Sequence, residues 1–96
     1  MATPVEYYRR RPTVVPMIEW TGSNYDDVDQ FCGAIPDSGG VRAFEPGNAY
    51  VPAKCWNTEE RCWVNVPRNH RIVRGARNEL YPISPEALAA TYEPAR

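Results

Sequence analysis

Apolar positions dominate the β-branched run Thr13-Val14-Val15-Pro16-Met17-Ile18-Glu19-Trp20, which predicts a strand. Pro16 has no N–H for a ladder, so the pattern predicts an edge strand or a bulge there. After Thr21-Gly22 the period changes. Tyr25, Val28, Phe31 and Cys32 recur at helical spacing and predict a helix over about residues 24–32 with one buried stripe. Ser23 is placed to cap it, Asp26 and Asp27 fall in the first turn where the helix dipole favours acids, and Gly33 fits just past its end. Residues 34–40 are rich in Pro, Asp, Ser and Gly and read as a loop. Val41-Arg42-Ala43-Phe44 predicts a short strand, Glu45-Pro46-Gly47-Asn48 a turn, and Ala49-Tyr50-Val51 the start of an extended segment. Arg71-Ile72-Val73-Arg74, closed by Gly75, and Glu79-Leu80-Tyr81-Pro82-Ile83 predict further strands. Ser84-Pro85-Glu86 opens a C-terminal helix with a cap residue, a first-turn proline and an acid. Leu88 and Tyr92 then share a face, and Pro94 stops it. The expected fold is α+β: a small antiparallel sheet of about four or five short strands, one helix after the first strand and one at the C-terminus.

Between these elements lies the most patterned stretch, two alternating segments around Asn57-Thr58-Glu59-Glu60. A four-residue turn at residues 57–60 would pair Trp56 with Arg61 and Cys55 with Cys62. Side chains alternate across a strand. One face then carries Ala53, Cys55, Cys62, Val64 and Val66, all small or apolar. The other carries Lys54, Trp56, Arg61, Trp63 and Asn65. A one-residue slip in one strand would mix the two sets, so the clean partition supports the hairpin. The first set reads as core. The second mixes aromatics, cations and an amide, a combination enriched in binding surfaces. The alternative is burial of the tryptophans under a helix of the same chain or a second subunit.

Composition narrows the chemistry. The chain of 96 residues fits a single domain, with residues 1–11 as a basic N-terminal arm and 43% of its residues hydrophobic. A net charge of −1 gives no overall field to gather nucleic acid, so a nucleic-acid partner is not expected. No apolar run approaches the roughly 20 residues that span a bilayer. The N-terminus lacks the order of a signal peptide, which predicts a cytoplasmic setting and free thiols for the three cysteines. Cys55, Cys62 and His70 match no common metal-ligand spacing. No carboxylate pair or Cys–His pair stands in a context that would tune it for catalysis. No catalytic residue, metal or cofactor is therefore predicted. Arg68, His70, Arg71, Arg74 and Arg77 concentrate positive charge. They make either a phosphate-attracting patch with Arg9-Arg10-Arg11 or a solvated edge balanced by Asp29, Glu59, Glu60 and Glu79. Arg71 and Arg74 join the candidate binding set, but alternation lets at most one of them reach the tryptophan face.

The two ends of the chain carry a resemblance. Arg9-Arg10-Arg11-Pro12, then Ile18-Glu19-Trp20-Thr21-Gly22, then a helix ending Phe31-Cys32-Gly33 resembles a family of small proteins of tailed bacteriophages and prophages. Ile72-Val73-Arg74-Gly75, Glu79-Leu80-Tyr81-Pro82 and Thr91-Tyr92-Glu93 follow in that family's order. The likeness covers roughly residues 8–33 and 64–93. The chain departs from the family pattern at Pro67-Arg68-Asn69-His70, at Asn78-Glu79 and at Pro16. The resemblance implies a phage gene expressed in a bacterial host, and transfers no functional residue because the family carries no assigned activity. The expectation is a non-enzymatic accessory protein in the host cytoplasm. It would bind a host or phage protein or a small phosphate-bearing, nucleotide-like ligand, and could form a homo-oligomer. The alternative is a minor structural component of the virion.

Overall fold

The computed structural model describes residues 2–10 and 13–94. Eight strands and two helices follow in the order β1 (Glu6–Arg10), β2 (Thr13–Glu19), α1 (Tyr25–Cys32), β3 (Phe44–Glu45), β4 (Ala53–Asn57), β5 (Cys62–Val66), β6 (Arg71–Arg74), β7 (Leu80–Ile83), α2 (Pro85–Thr91) and β8 (Glu93–Pro94). They form an antiparallel five-stranded sheet, β7-β6-β2-β1-β8, and a three-stranded sheet, β3-β4-β5. The architecture is a small α+β fold, with more strands than the pattern predicts and two sheets in place of one. Glu6–Arg10 of the predicted arm form β1, whose charged residues masked its alternation. Arg11 and Pro12 of the basic run lie outside the described residues.

The sheets divide the core in two. On one side of the large sheet, Ile18, Ile72 and Leu80 meet Val28 and Cys32 of α1 and Phe44, Cys55 and Val66 of the small sheet. On the other side, Val15, Met17 and Val73 meet Leu88 of α2. Neighbours in β2 and β6 therefore point into different clusters, and both strands are buried on both faces. This explains why their apolar runs are nearly continuous. Phe44 and Trp20 pack edge to face with ring centroids 5.0 Å apart.

Pro16 corrects one expectation: β2 is an interior strand, not an edge. Its ladder with β6 covers only Met17, Ile18 and Glu19. The Trp20 N–H donates to the His70 carbonyl, so even-numbered residues of β2 turn their main-chain groups toward β6. Continuing that register sets Pro16 opposite Arg74, the last residue of β6, so its missing N–H falls at the end of the ladder rather than in its middle.

Local hydrogen bonds explain the other differences. The N-cap of α1 is Asn24, not Ser23. Its side-chain oxygen accepts from the Thr21 N–H at 2.9 Å, and its amide donates to the Glu19 carbonyl at 2.7 Å, tying the turn to β2. Residues 49–51 are a bend rather than an extended segment, because the Asn48 side chain accepts from the N–H groups of Tyr50 and Val51. The predicted 41–44 strand shrinks to Phe44–Glu45, with only an isolated bridge between Ala34 and Arg42 before it. The C-terminal helix begins as predicted: the Ser84 hydroxyl accepts from the Ala87 N–H at 3.1 Å.

The turn between β4 and β5 is set by Asn57, a buried polar residue. Its side-chain oxygen accepts from the Glu60 N–H at 2.8 Å, and its amide donates to the Leu80 carbonyl at 2.9 Å. Asn57 thus stays in β4, and the turn moves to residues 58–61, with Arg61 in the left-handed region at φ 54. Replacing Asn57 with alanine should cost about 1–3 kcal/mol, because the Leu80 carbonyl loses its partner. Equilibrium urea unfolding measures this; a loss below about 0.5 kcal/mol would show that the bond is not needed.

Candidate functional site

The corrected turn changes the hairpin register but leaves the side chains of its strands on the expected faces. Trp56 pairs with Trp63, Lys54 with Asn65, Cys55 with Val64, and Asn57 with Cys62. The expected pairing of Trp56 with Arg61 is displaced by two residues, and an even displacement keeps each side chain on its face. Ala53, Cys55, Asn57 and Val66 are buried beneath the sheet. Lys54, Trp56, Trp63 and Asn65 share the opposite face. Arg61 is the exception: it sits in the turn, exposed, rather than opposite Trp56.

The tryptophan rings contact edge to face with centroids 5.5 Å apart, and the Lys54 ammonium lies over Trp63 at 5.0 Å from its centroid. Both rings are half-buried, which reconciles the two predicted fates of this face. Trp56 leans on the core, while Trp63 stands farther from it on the edge strand. Beside Trp56 is a cavity of about 300 Å³, lined also by Cys32, Ile35, Pro36, Arg74 and Leu80. Its size is at the lower end for small-molecule sites. Ile35, Pro36 and Leu80 carried no signal in the sequence, because the end of α1, its following loop and β7 bring them to Trp56 only through the tertiary fold.

The arginines separate as alternation requires. Arg74 reaches the tryptophan face and joins this cavity. Its guanidinium lies 5.3 Å from the Phe31 ring centroid, and its Nη2 donates to the Phe31 carbonyl and, at 3.4 Å, to the Cys32 carbonyl. With Arg42, whose Nη2 donates to the Asp29 carbonyl at 3.2 Å, it brings positive charge to a last turn of α1 that has no basic residue of its own. Arg71 points away. It pairs with Glu6 at 2.6 Å and covers the Tyr8 ring. The Glu6 carboxylate raises its pKa further and holds it charged. Arg77 pairs with Glu59 at 3.3 Å. Arg71, Arg74 and Arg77 are therefore dispersed among separate partners, and Arg68 makes no ion pair among the described residues.

The cysteines are free. The register sets Cys55 opposite Val64 rather than Cys62. Burial pushes the thiols of Cys32 and Cys55 up to about 12; the proximity of Cys55 adds to the shift at Cys32. Neither is a nucleophile near neutral pH, because the thiolate is the reactive form. Among the described residues no three His, Cys, Asp or Glu side chains are grouped to hold a metal ion, and no helix is long and apolar enough to cross a membrane.

Comparisons of the chain with models of known protein families, with curated proteins and with solved structures found no match.

The thiols provide a test of how deeply the inner face of the hairpin is buried. At pH 8 a soluble aromatic disulfide reagent should titrate Cys62 readily in the native protein and leave Cys32 and Cys55 unmodified until denaturant is added. Fast reaction of all three in the native state would contradict the burial of the inner face.

Proposed function

We propose that this chain is a small non-enzymatic bacteriophage accessory protein that acts by binding, with the Trp56–Trp63 face of the hairpin as its contact surface. The phage setting rests on the resemblance of the two chain ends. The contact surface rests on one observation: a half-exposed tryptophan pair capped by the Lys54 ammonium. Tryptophan is enriched among the residues that dominate binding energy. A host or phage protein is the partner this face suits best, because Lys54, Trp63 and Asn65 stand side by side on one face of a strand pair.

A second reading takes the cavity beside Trp56 as the site of a small nucleotide-like ligand. Trp56 would offer a ring to stack against and Arg74 a cation. The Nε and Nη1 of Arg74 donate no hydrogen bond among the described residues. A minor structural role in the virion uses the same tryptophan face against another virion protein.

Immobilised protein incubated with lysate of phage-infected bacteria, followed by mass spectrometry of what it retains and of the purified virion, tests these readings. Trp63→Ala should lower partner capture at least tenfold, as loss of a dominant contact does, while the thermal midpoint moves by only a few degrees. Retention of the same partners by the variant would contradict the assignment, as would a stability loss of about 3–5 kcal/mol, the signature of a core aromatic.

A further inference from the structure

The two sheets have four outer edges, formed by β7, β8, β3 and β5. An open edge is a template for another strand, and proteins usually obstruct it with proline, charge or brevity. On β7 the obstruction can be read bond by bond. The Gly75 N–H donates to the Glu79 carbonyl, so the register of β6 with β7 turns the main-chain groups of Leu80 and Pro82 outward. The Leu80 carbonyl is taken by Asn57, and Pro82 has no N–H to offer. The β8 edge is two residues long and includes Pro94, while β3 is two residues long and is followed by Pro46.

The β5 edge has none of these devices. Cys62-Trp63-Val64-Asn65-Val66 contains no proline, no glycine and no charge. The Trp56 N–H donates to the Ala43 carbonyl, so even-numbered residues of β4 face β3 and odd-numbered ones face β5. Cys55 and Val64 therefore bond to each other, and the N–H and C=O of Trp63 and Asn65 point outward. Among the described residues these outward groups meet no hydrogen-bonding partner.

We propose that β5 pairs with β5 of a second copy of this chain, antiparallel about a two-fold axis at Val64. The outward residues fit this register. Trp63 of one copy and Asn65 of the other form a hydrogen-bonded pair, and the symmetry makes that pair twice. Val64 meets its own counterpart, a contact that a charged residue at the centre would forbid. The charge outside the strand is complementary. Glu60 and Arg68 lie in the turns that flank β5, so an antiparallel copy brings the Glu60 turn of one chain near the Arg68 turn of the other. Both are exposed and make no ion pair among the described residues. The small sheets join into one six-stranded sheet, and the two tryptophan faces become continuous. This pairing is independent of the proposed contact on the tryptophan face, because it uses the main-chain edge rather than the rings.

Sedimentation equilibrium at protein concentrations up to about 1 mM tests it, since joining one strand to one strand buries little area and gives a weak dimer. The average mass should rise from the monomer's 10.9 kDa toward that of a dimer. Asn65→Pro removes an outward N–H and no bond to β4. It should remain monomeric at every concentration with wild-type circular dichroism. Glu60→Lys should weaken the dimer roughly fivefold, and Glu60→Lys with Arg68→Glu should restore it. A wild-type chain that stays monomeric overturns the proposal, as does a dimer that a folded Asn65→Pro variant leaves intact. If that variant does not fold, the charge reversals decide: no loss and no rescue overturns the pairing. A monomer whose Trp63 and Asn65 amides gain exchange protection only from a protein of infected lysate gives the edge to another chain, and also overturns it.

Discussion

One buried amide organises the half of the molecule that carries its candidate site. Asn57 has a donor and an acceptor to satisfy in a dry place, and it satisfies them in different directions. The acceptor holds the turn after β4 and so decides which residue of β5 faces which residue of β4. The donor ties the end of β4 to the outer edge of β7 and fixes the small sheet against the large one. The same bond occupies an outward carbonyl on β7, that of Leu80, which another strand would need. Register, sheet docking and protection of an edge thus rest on a single side chain, which a hydrophobic residue of similar volume cannot replace.

With the register fixed, the hairpin separates two tasks. Its inner side seals the core with Ala53, Cys55 and Val66, where burial removes the cysteine from chemistry. Its outer side gathers Trp56, Trp63 and Lys54, which remain half exposed. Arg74 links the two levels. It neutralises the carbonyl end of α1 from one side and lines the cavity beside Trp56 from the other. Arg71, three residues earlier, is held by Glu6 across the large sheet, so nearby cations in the sequence serve different parts of the fold.

Much of this was legible in the sequence where a local pattern matched a local cause. The caps at Gly33 and Ser84, the bounds of β6 and the two faces of the hairpin follow from periodicity and cap chemistry. What escaped depends on distant partners. The turn register needed the Leu80 carbonyl, 23 residues away, to hold Asn57 in the strand. The interior position of β2 was hidden because Pro16 reads as an edge signal, and only the register with β6 shows that its missing N–H falls at the end of that ladder, opposite Arg74. Glu6–Arg10 looked like a charged arm because its apolar partners, Val15 and Met17, come from the next strand. Among the candidate site residues, Lys54, Trp56, Trp63, Asn65 and Arg74 come together. Arg61 and Arg71 do not, the first because the turn claims it and the second because Glu6 does.

The central claim is that Asn57 sets a register in which Trp56 lies beside Trp63 on the outer face. Nuclear Overhauser spectroscopy of the hairpin tests this most directly, because opposed residues in a non-hydrogen-bonded antiparallel pair bring their α protons close together. The account predicts strong cross-strand α-proton contacts between Trp56 and Trp63 and between Lys54 and Asn65. A contact between the α protons of Trp56 and Arg61 in their place would contradict it.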